Sequence, residues 1–530
     1  MNSRIDMSAK DYFRPRGDIT TVLDLTDRDS QDNTYFPLDT THSWFHRGEI
    51  GGPNHTIYPS ALSVQEFTQR GPAQWGQKLS FEIGSLPAGD LLQSVILQIR
   101  LGSWYNGTIV QQLSNGIIQP DLPTNAAEYW TFANSLGTSI IEYAEFIVND
   151  QTIERLTGEF IRMFLNVYSD VNTAIGYSAD GIGTASYSYL SNQPIGTPPT
   201  IPVLQTAFNP NRPFPTEDGT YFCILPFFFI RTRLKEVFPL LACNEGNVRI
   251  DVKLRPFDQL VRKYIGYRAN CTEVPLNSTV SFKTTALPST TVTTNTLQCA
   301  PDFQDFRILT CCALTTGSLR EKFLHQPFEQ MVKLVQTFHF EEPLKYLVSK
   351  PNSNSDTVDI QLPLELNHPV IEIVWGFRRK GVLINNEWSN FTPAISLELT
   401  PQTVYPPWLD YATIRVNGFE LISARGDWFR EHIASKHKGG IIAFQSYMYG
   451  YSFAAYPDEH QPSGTANMSK AMSITLNLRV NTPIAADLAT LGSPCVFDPA
   501  TVGGWEVFVY AIHYNWLRFE NGICNRMFTD

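Results

Sequence analysis

The chain has 530 residues, a net charge of -11, and only 17% charged against 43% hydrophobic and 12% aromatic residues. That length exceeds one ordinary core and implies two domains, with enough apolar material for both. The acidic balance and the lack of any Lys/Arg tract argue against packaging nucleic acid by direct phosphate neutralisation.

The N-terminal stretch MNSRIDMSAKDYFRP has no apolar signal-peptide core, so a soluble protein made in the cytosol is expected. Residues 1–60 are polar and irregular, mixing Arg4, Lys10, Arg14 and Arg16 with Asp6, Asp11 and Asp18. They read as an extended arm. Period-two alternation then begins. Leu79, Phe81 and Ile83 alternate with Ser80 and Glu82, and Val95, Leu97, Ile99 and Leu101 share one face. Glu159 to Tyr168 carries Phe160, Phe164 and Val167 at helical spacing after Thr157-Gly158. The stretches 178–202 and 278–296 are rich in Ser, Thr, Gly and Pro, and are too long for tight turns. YFCILPFFFI (Tyr221 to Ile230) is the most apolar run. It is about half the length a membrane-spanning helix needs, with a Pro inside. Val248, Ile250, Val252 and Leu254 point one way, and Arg249, Asp251, Lys253 and Arg255 the other. This marks a strand with one buried and one wet face.

Ser318 to Val332 opens with a capping box, Ser318 and Glu321, and Pro327 should end or kink that helix. It separates two strand-rich halves and reads as a linker. Alternation returns at Val358 to Leu366, at Ile371 to Phe377, at Ile395 to Leu399 and at Ile474 to Val480. Many short antiparallel strands indicate sandwiches or jelly rolls. Between two of them lies the loop DEHQPSGTANMSK (Asp458 to Lys470). Pro462 presets φ, Gly464 allows φ > 0, and Ser463, Thr465 and Asn467 can bond nearby backbone.

Catalytic signatures are missing: the chain has no Walker loop, GxGxxG, HExxH or GxSxG. Glu431-His432 with His437 has the wrong spacing for two imidazoles on one helix face, and these read as solvated surface residues. Asp458, Glu459 and His460 have no local nucleophile. Arg16-Gly17-Asp18 and Arg425-Gly426-Asp427 read as turn chemistry rather than receptor motifs. The sequons at Asn54, Asn106, Asn270, Asn277, Asn390 and Asn467 read as unmodified. The eight cysteines (Cys223, Cys243, Cys271, Cys299, Cys311, Cys312, Cys495, Cys524) contain no CxxC and read as free thiols. No catalytic, cofactor-binding or metal-ligating residue is expected.

Seven blocks in order carry a family resemblance. They are WGQKLSFEIGSLPAGDLLQSVILQIRL (Trp75 to Leu101), IIEYAEFIVNDQTIERLTGEF (Ile140 to Phe160), LPFFFIRTRLKEVFPLLACNEGNVRIDVKLR (Leu225 to Arg255), LELNHPVIEIVWGFRRK (Leu364 to Lys380), ATIRVNGFELISARGDWFR (Ala412 to Arg430), YSFAAYPDEHQPSGTANMSKAMSITLNL (Tyr451 to Leu478) and VFVYAIHYNWLRFENG (Val507 to Gly522). Together they resemble the double jelly-roll major capsid proteins of nucleocytoplasmic large double-stranded DNA viruses. The arm and the two Ser/Thr-rich loops are departures from that pattern.

The resemblance implies an all-β chain of two tandem eight-stranded antiparallel jelly rolls with short helices and long loops. The expected division is an arm at 1–60, a first roll at 61–315, a linker at 316–345 and a second roll at 346–530. The implied function is structural and not enzymatic: a homotrimer forming a pseudo-hexagonal capsomer that tiles the icosahedral capsid. Expected partners are neighbouring capsomers, minor capsid proteins and, through them, an internal membrane. Direct contact with nucleic acid is not expected. Host-receptor contact is expected at the outer loops. The protein is placed in the virion shell, after synthesis and assembly in the host cytoplasm. Two rivals stand beside this reading: a minor or vertex jelly-roll protein, and a carbohydrate-binding or carbohydrate-active β-sandwich.

Overall fold

The computed structural model describes residues 60–84, 89–102, 128–132, 136–168, 219–231, 237–265, 272–273, 302–315, 318–348, 357–380, 386, 388–391, 407–437, 447–481 and 504–528. The arm, both Ser/Thr-rich loops, the Ile395 to Leu399 strand and the first Arg-Gly-Asp lie outside these residues.

The first half begins with β1 (Ser60–Thr68), β2 (Lys78–Glu82), β3 (Leu91–Leu101) and β4 (Glu128–Phe132). A short helix α1 (Leu136–Ser139) leads into the hairpin of β5 (Ile141–Val148) and β6 (Gln151–Thr157), and then helix α2 (Gly158–Val167). There follow β7 (Gly219–Ile224), α3 (Phe228–Arg231), β8 (Phe238–Pro239), β9 (Val248–Leu254), β10 (Val261–Ile265), β11 (Thr272–Glu273) and β12 (Phe303–Thr315). Two antiparallel sheets result. One runs β1-β12-β3-β7 with β8 added on β3, and the other runs β2-β9-β5-β6. A small third sheet is β11-β10-β4.

Helix α4 (Ser318–His325) ends two residues before Pro327. The sequence from Phe328 does not continue it. It forms β13 (Phe328–Phe340), within the span expected as a linker, paired to β21 from Phe328↔Phe519 to Phe340↔Val507. The second half continues with β14 (Thr357–Leu364), β15 (Pro369–Arg379), the hairpin of β16 (Leu409–Val416) and β17 (Phe419–Arg425), and α5 (Gly426–Lys436). It closes with β18 (Met448–Ser452), β19 (Ala466–Asn467), β20 (Ile474–Asn481), β21 (Trp505–Glu520) and β22 (Ile523–Arg526). Its sheets are β13-β21-β15-β18, carrying β19 and β22, and β14-β20-β16-β17.

The halves repeat one plan. In each, strands distant in sequence lie side by side in two facing antiparallel sheets, which is jelly-roll connectivity. In each, a hairpin of the second sheet runs directly into a helix through a glycine. A Cβ on Gly158 would collide with the Ile141 carbonyl oxygen, and one on Gly426 with the Leu409 carbonyl oxygen. Thr157 caps α2, its hydroxyl accepting from the Phe160 amide at 3.2 Å. The hairpin tips also correspond: Asn149-Asp150 and Asn417-Gly418 all have positive φ, the backbone a tight two-residue hairpin requires.

The sheet β13-β21-β15-β18 is covered on both faces. From β21, Val507, Val509 and Ala511 enter the second roll's own core, while Phe508 and Tyr510 enter the first half's core. From β15, Ile373, Trp375 and Phe377 face one way and Val374 the other. Sequence alternation had grouped Ile371 with Ile373, Trp375 and Phe377, but across the register shift between Val370 and Glu372 Ile371 joins Ile512 and Tyr514 on the other face. The apparent wet face of β9 also needs correction, because Asp251 and Arg255 are buried. Lys78 and Arg249 pair with Asp251 at 2.9 and 3.6 Å, and Arg255 pairs with Glu159.

Candidate functional site at the seam

The first half's α2 lies against the second half's β21. Phe160 meets Tyr510 at 5.1 Å between ring centroids, and the Thr157 and Tyr510 hydroxyls are 3.4 Å apart. Towards the other end, Phe238 of the first half and Phe328 both pack on Phe519, at 5.7 and 4.7 Å. The Gln330 side chain donates to the Val237 carbonyl at 2.8 Å. Five of these residues are aromatic, and such packing excludes water and supplies the largest favourable term at a contact of this kind.

Within this apolar seam sits a buried charge cluster. Glu159 of α2 accepts from Arg255 at 2.9 Å and from Arg378 of β15 at 3.1 Å. Arg378 also reaches Glu506 at 2.6 Å, and Glu506 meets His339 at 2.8 Å. Trp388 covers the guanidinium of Arg255 at 3.7 Å, accepts from Arg378 through its carbonyl, and donates its indole N–H to the Gln259 carbonyl. Burial opposes the charge on Glu159, but Arg255 and Arg378 outweigh it and hold the carboxyl at about 2. A cavity of about 10 Å³, room for one water, is bordered by Ser139, Glu159, Arg162, Arg255 and Trp388.

A second polar cluster corrects a sequence expectation. His437 is not a solvated surface residue: it is 5% exposed. Its Nε2 lies 3.0 Å from Glu372 Oε2, and Tyr168 of the first half donates to Glu372 Oε1 at 2.7 Å. Burial opposes ionisation of Glu372; His437, the Tyr168 hydrogen bond and Lys333 overcome it and hold the carboxyl below its usual range. His432, one turn earlier, is half-buried between Trp428 and Tyr451 and accepts from the Ser452 amide. The two histidines therefore serve different contacts and do not converge. Nothing in the local sequence announces either cluster, because their members meet only through tertiary packing.

The loop from Asp458 to Lys470 is held from all sides. The Ser463 hydroxyl accepts from the Tyr456 amide at 2.8 Å. Gly464 has φ +146°, and a Cβ there would crowd the Phe453 carbonyl. Asn467 caps the turn Met468–Lys470 through the Ser469 amide. Ser469, not singled out from the sequence, accepts from the His368 amide at 2.8 Å. Asn467 and Ala466 pair with Pro369 and Val370, so the loop extends the seam sheet. Buried Lys333 binds the carbonyls of Pro457 and Glu459 from beneath.

Of the remaining motifs, those within the described residues have structural places; the sequons at Asn54, Asn106, Asn270 and Asn277 and the thiols Cys271, Cys299 and Cys495 lie outside them. Gly426 is the buried middle residue of the second Arg-Gly-Asp, at the start of α5. Asn390 is fully buried. Cys223, Cys243, Cys311, Cys312 and Cys524 are free thiols. Burial pushes the Cys223 and Cys312 thiols up to about 12. Among the described residues, no group of three or more His, Cys, Asp or Glu is placed to hold a metal ion. Among them no helix is long and apolar enough to cross a membrane. Apolar side chains do remain open at the edge strand β1, where Leu62 and Val64 are 66% and 64% exposed.

Two repeated rolls fused through a doubly covered sheet define a double jelly-roll protein. Comparison with known proteins agrees. The family model described as "Major capsid protein N-terminus" matches residues 60–299, and "Large eukaryotic DNA virus major capsid protein" matches residues 320–525. The major capsid protein of Pyramimonas orientalis virus is 25% identical over 224 residues, covering 40% of this chain and 48% of the relative. That of Chrysochromulina ericina virus is 42% identical over 122 residues, covering 21% and 17%. The chain thus spans about half the length of the first of these relatives and less of the second. Among solved structures, the Faustovirus major capsid protein superposes with a TM-score of 0.59 at 13% identity, covering 90% of this chain and 93% of that one. The PBCV-1 virus capsid subunit gives 0.59 at 18%, covering 89% and 98%. The chain belongs to the family of large eukaryotic DNA virus major capsid proteins. It is a family of structural proteins and not of enzymes.

Proposed function

We propose that three copies of this chain form a capsomer with six roll-sized lobes, which tiles an icosahedral shell. The observation that carries this is the repeat of one roll plan in two halves, locked by a sheet covered on both faces. Three such chains around an axis present six similar lobes, a near-hexagonal tile. The division into two rolls of eight strands each belongs to the same proposal, with the second roll beginning at β13 (Phe328) rather than at 346. The exposed Leu62 and Val64 on β1, the edge strand of its sheet among the described residues, suit burial by a neighbouring subunit. The net charge of -11 suits a shell that leaves the genome to other proteins.

The finer partners follow as expectations of this proposal. The arm at 1–60 reaches a neighbouring subunit or a minor capsid protein, with an internal membrane beneath, and the 178–202 loop faces the host. Assembly takes place in the host cytoplasm. Light scattering on a sizing column tests the core of this reading. The expected mass is three times 59.8 kDa, unchanged on dilution. Deleting residues 1–60 should leave that trimer and remove only larger assemblies. A stable monomer of the intact chain would refute the proposal.

A further inference from the structure

Two thiols meet across the seam. Cys243 ends the turn Leu240–Cys243 of the first half, and Cys524 lies in β22 of the second. They are 3% and 0% exposed and share one apolar cluster. Their thiols are within hydrogen-bonding reach of each other. Backbone contacts fix the approach on both sides. The Glu245 amide donates to the Gly522 carbonyl at 3.3 Å, and the Asn149 side chain donates to the Cys524 carbonyl at 3.4 Å. A Cβ on Gly522 would collide with Asn244, so the turn joining β21 to β22 is seated directly on the residues after Cys243. Other described thiols are placed differently. Cys223 donates to the Ile224 carbonyl, and Cys311 and Cys312 are adjacent in a strand, so their side chains leave opposite faces.

We propose that Cys243 and Cys524 are a modification site: on oxidation they join in a disulfide that clasps the two halves. The oxidant is a small-molecule disulfide of the glutathione type. One cysteine, as thiolate, attacks it, breaking its S–S bond, forming a mixed disulfide and releasing one small thiol. The second cysteine attacks the mixed disulfide, forming the Cys243–Cys524 bond and releasing the other small thiol. The two cysteine protons end on the two released thiols, and two electrons pass to the oxidant. A disulfide needs Cβ atoms about 3.5–4.5 Å apart, a spacing set here by the backbone contacts between the two turns, while rotation about χ1 brings the sulfurs together. The seam sets the rate. Burial first, and the Cys524 thiol second, hold the Cys243 thiol well above its ordinary value, so little thiolate forms while the seam is closed. Reaction then waits on local opening of the β21–β22 hairpin.

The test uses the full native chain, incubated with oxidised glutathione, then denatured in a maleimide and mapped without reduction. A peptide pair linked through Cys243 and Cys524 is expected, forming more slowly than adducts of the half-buried Cys311. The melting midpoint should rise by about 2–5 °C and fall back on reduction. Cys524→Ser should abolish the link and the rise, while Cys311→Ser keeps both. The wild-type map needs no variant to fold. Recovery of both thiols as maleimide adducts after prolonged exposure would overturn the proposal. So would glutathione adducts alone, or a link seen only after unfolding in urea.

Discussion

Glu159 is the residue on which the seam's electrostatics turn. It is buried beside two guanidiniums from different halves, and removing one partner of such a cluster leaves charge stranded out of water. Glu159→Gln should therefore lower unfolding free energy by about 3 kcal/mol, read from the urea midpoint. Its pH dependence has a definite sign. A carboxyl held at about 2 against an ordinary 4.5 adds stability that is fully present above 4.5 and lost as pH falls through 2. Wild type should show an acid limb between those values in its fluorescence midpoint, and Glu159→Gln should flatten it. An unchanged limb would assign the acid response to other carboxylates. None of this was legible in the sequence. Glu159 is a first-turn acid on a helix and Arg378 a cation near a strand end, and nothing local marks their pairing because it spans both halves. The sequence did carry the loop at Asp458: Ser463, Gly464 and Asn467 act locally, and local chemistry survives without knowledge of the fold.

At the scale of elements, the two hairpin-to-helix junctions make a paired test. Gly158 and Gly426 have no positive φ, yet each sits where a methyl group would strike a strand carbonyl. Gly418 has φ +82° with open space around it. Gly418→Ala should cost about 1 kcal/mol from backbone conformation alone. Gly158→Ala and Gly426→Ala should each cost more, about 2–4 kcal/mol, since backbone must shift to relieve the overlap. Thermal melts of the three variants give the order, and equal losses would count against the steric account. The same scale explains what periodicity could reveal. The apolar faces of Val248 to Leu254 and Ile474 to Val480 read correctly, while the opposite face of the first, with Asp251 buried, did not. The second faces of β15 and β21 did not, since Val374, Phe508 and Tyr510 fill the positions that a half-wet strand gives to polar residues. The Phe328 strand was hidden behind the helix signals of Ser318 and Glu321, since the helix stops at His325 and the strand starts just after Pro327.

For the whole molecule, the decisive fact is that one apolar cluster holds side chains from both halves. From the first come Phe160 and Phe238; from the second come Val374, Phe508, Tyr510 and Phe519. Domains joined so extensively unfold together, so calorimetry of the full chain should show one cooperative transition. Two separated transitions would show that each half keeps an independent core. The order of blocks along the sequence announced the double roll, but how the rolls are fused could not be read there, since alternation reports burial and never the identity of the neighbour.

Among the described residues, a sheet shared as both a wall of one roll and the floor of the other leaves no hinge between the two halves. Tilting one half against the other would have to drag Tyr168 from Glu372 and Arg378 from Glu159 together. In the shell proposed above, the bending would then fall to the joints between molecules, with each copy keeping the same fit between its two halves.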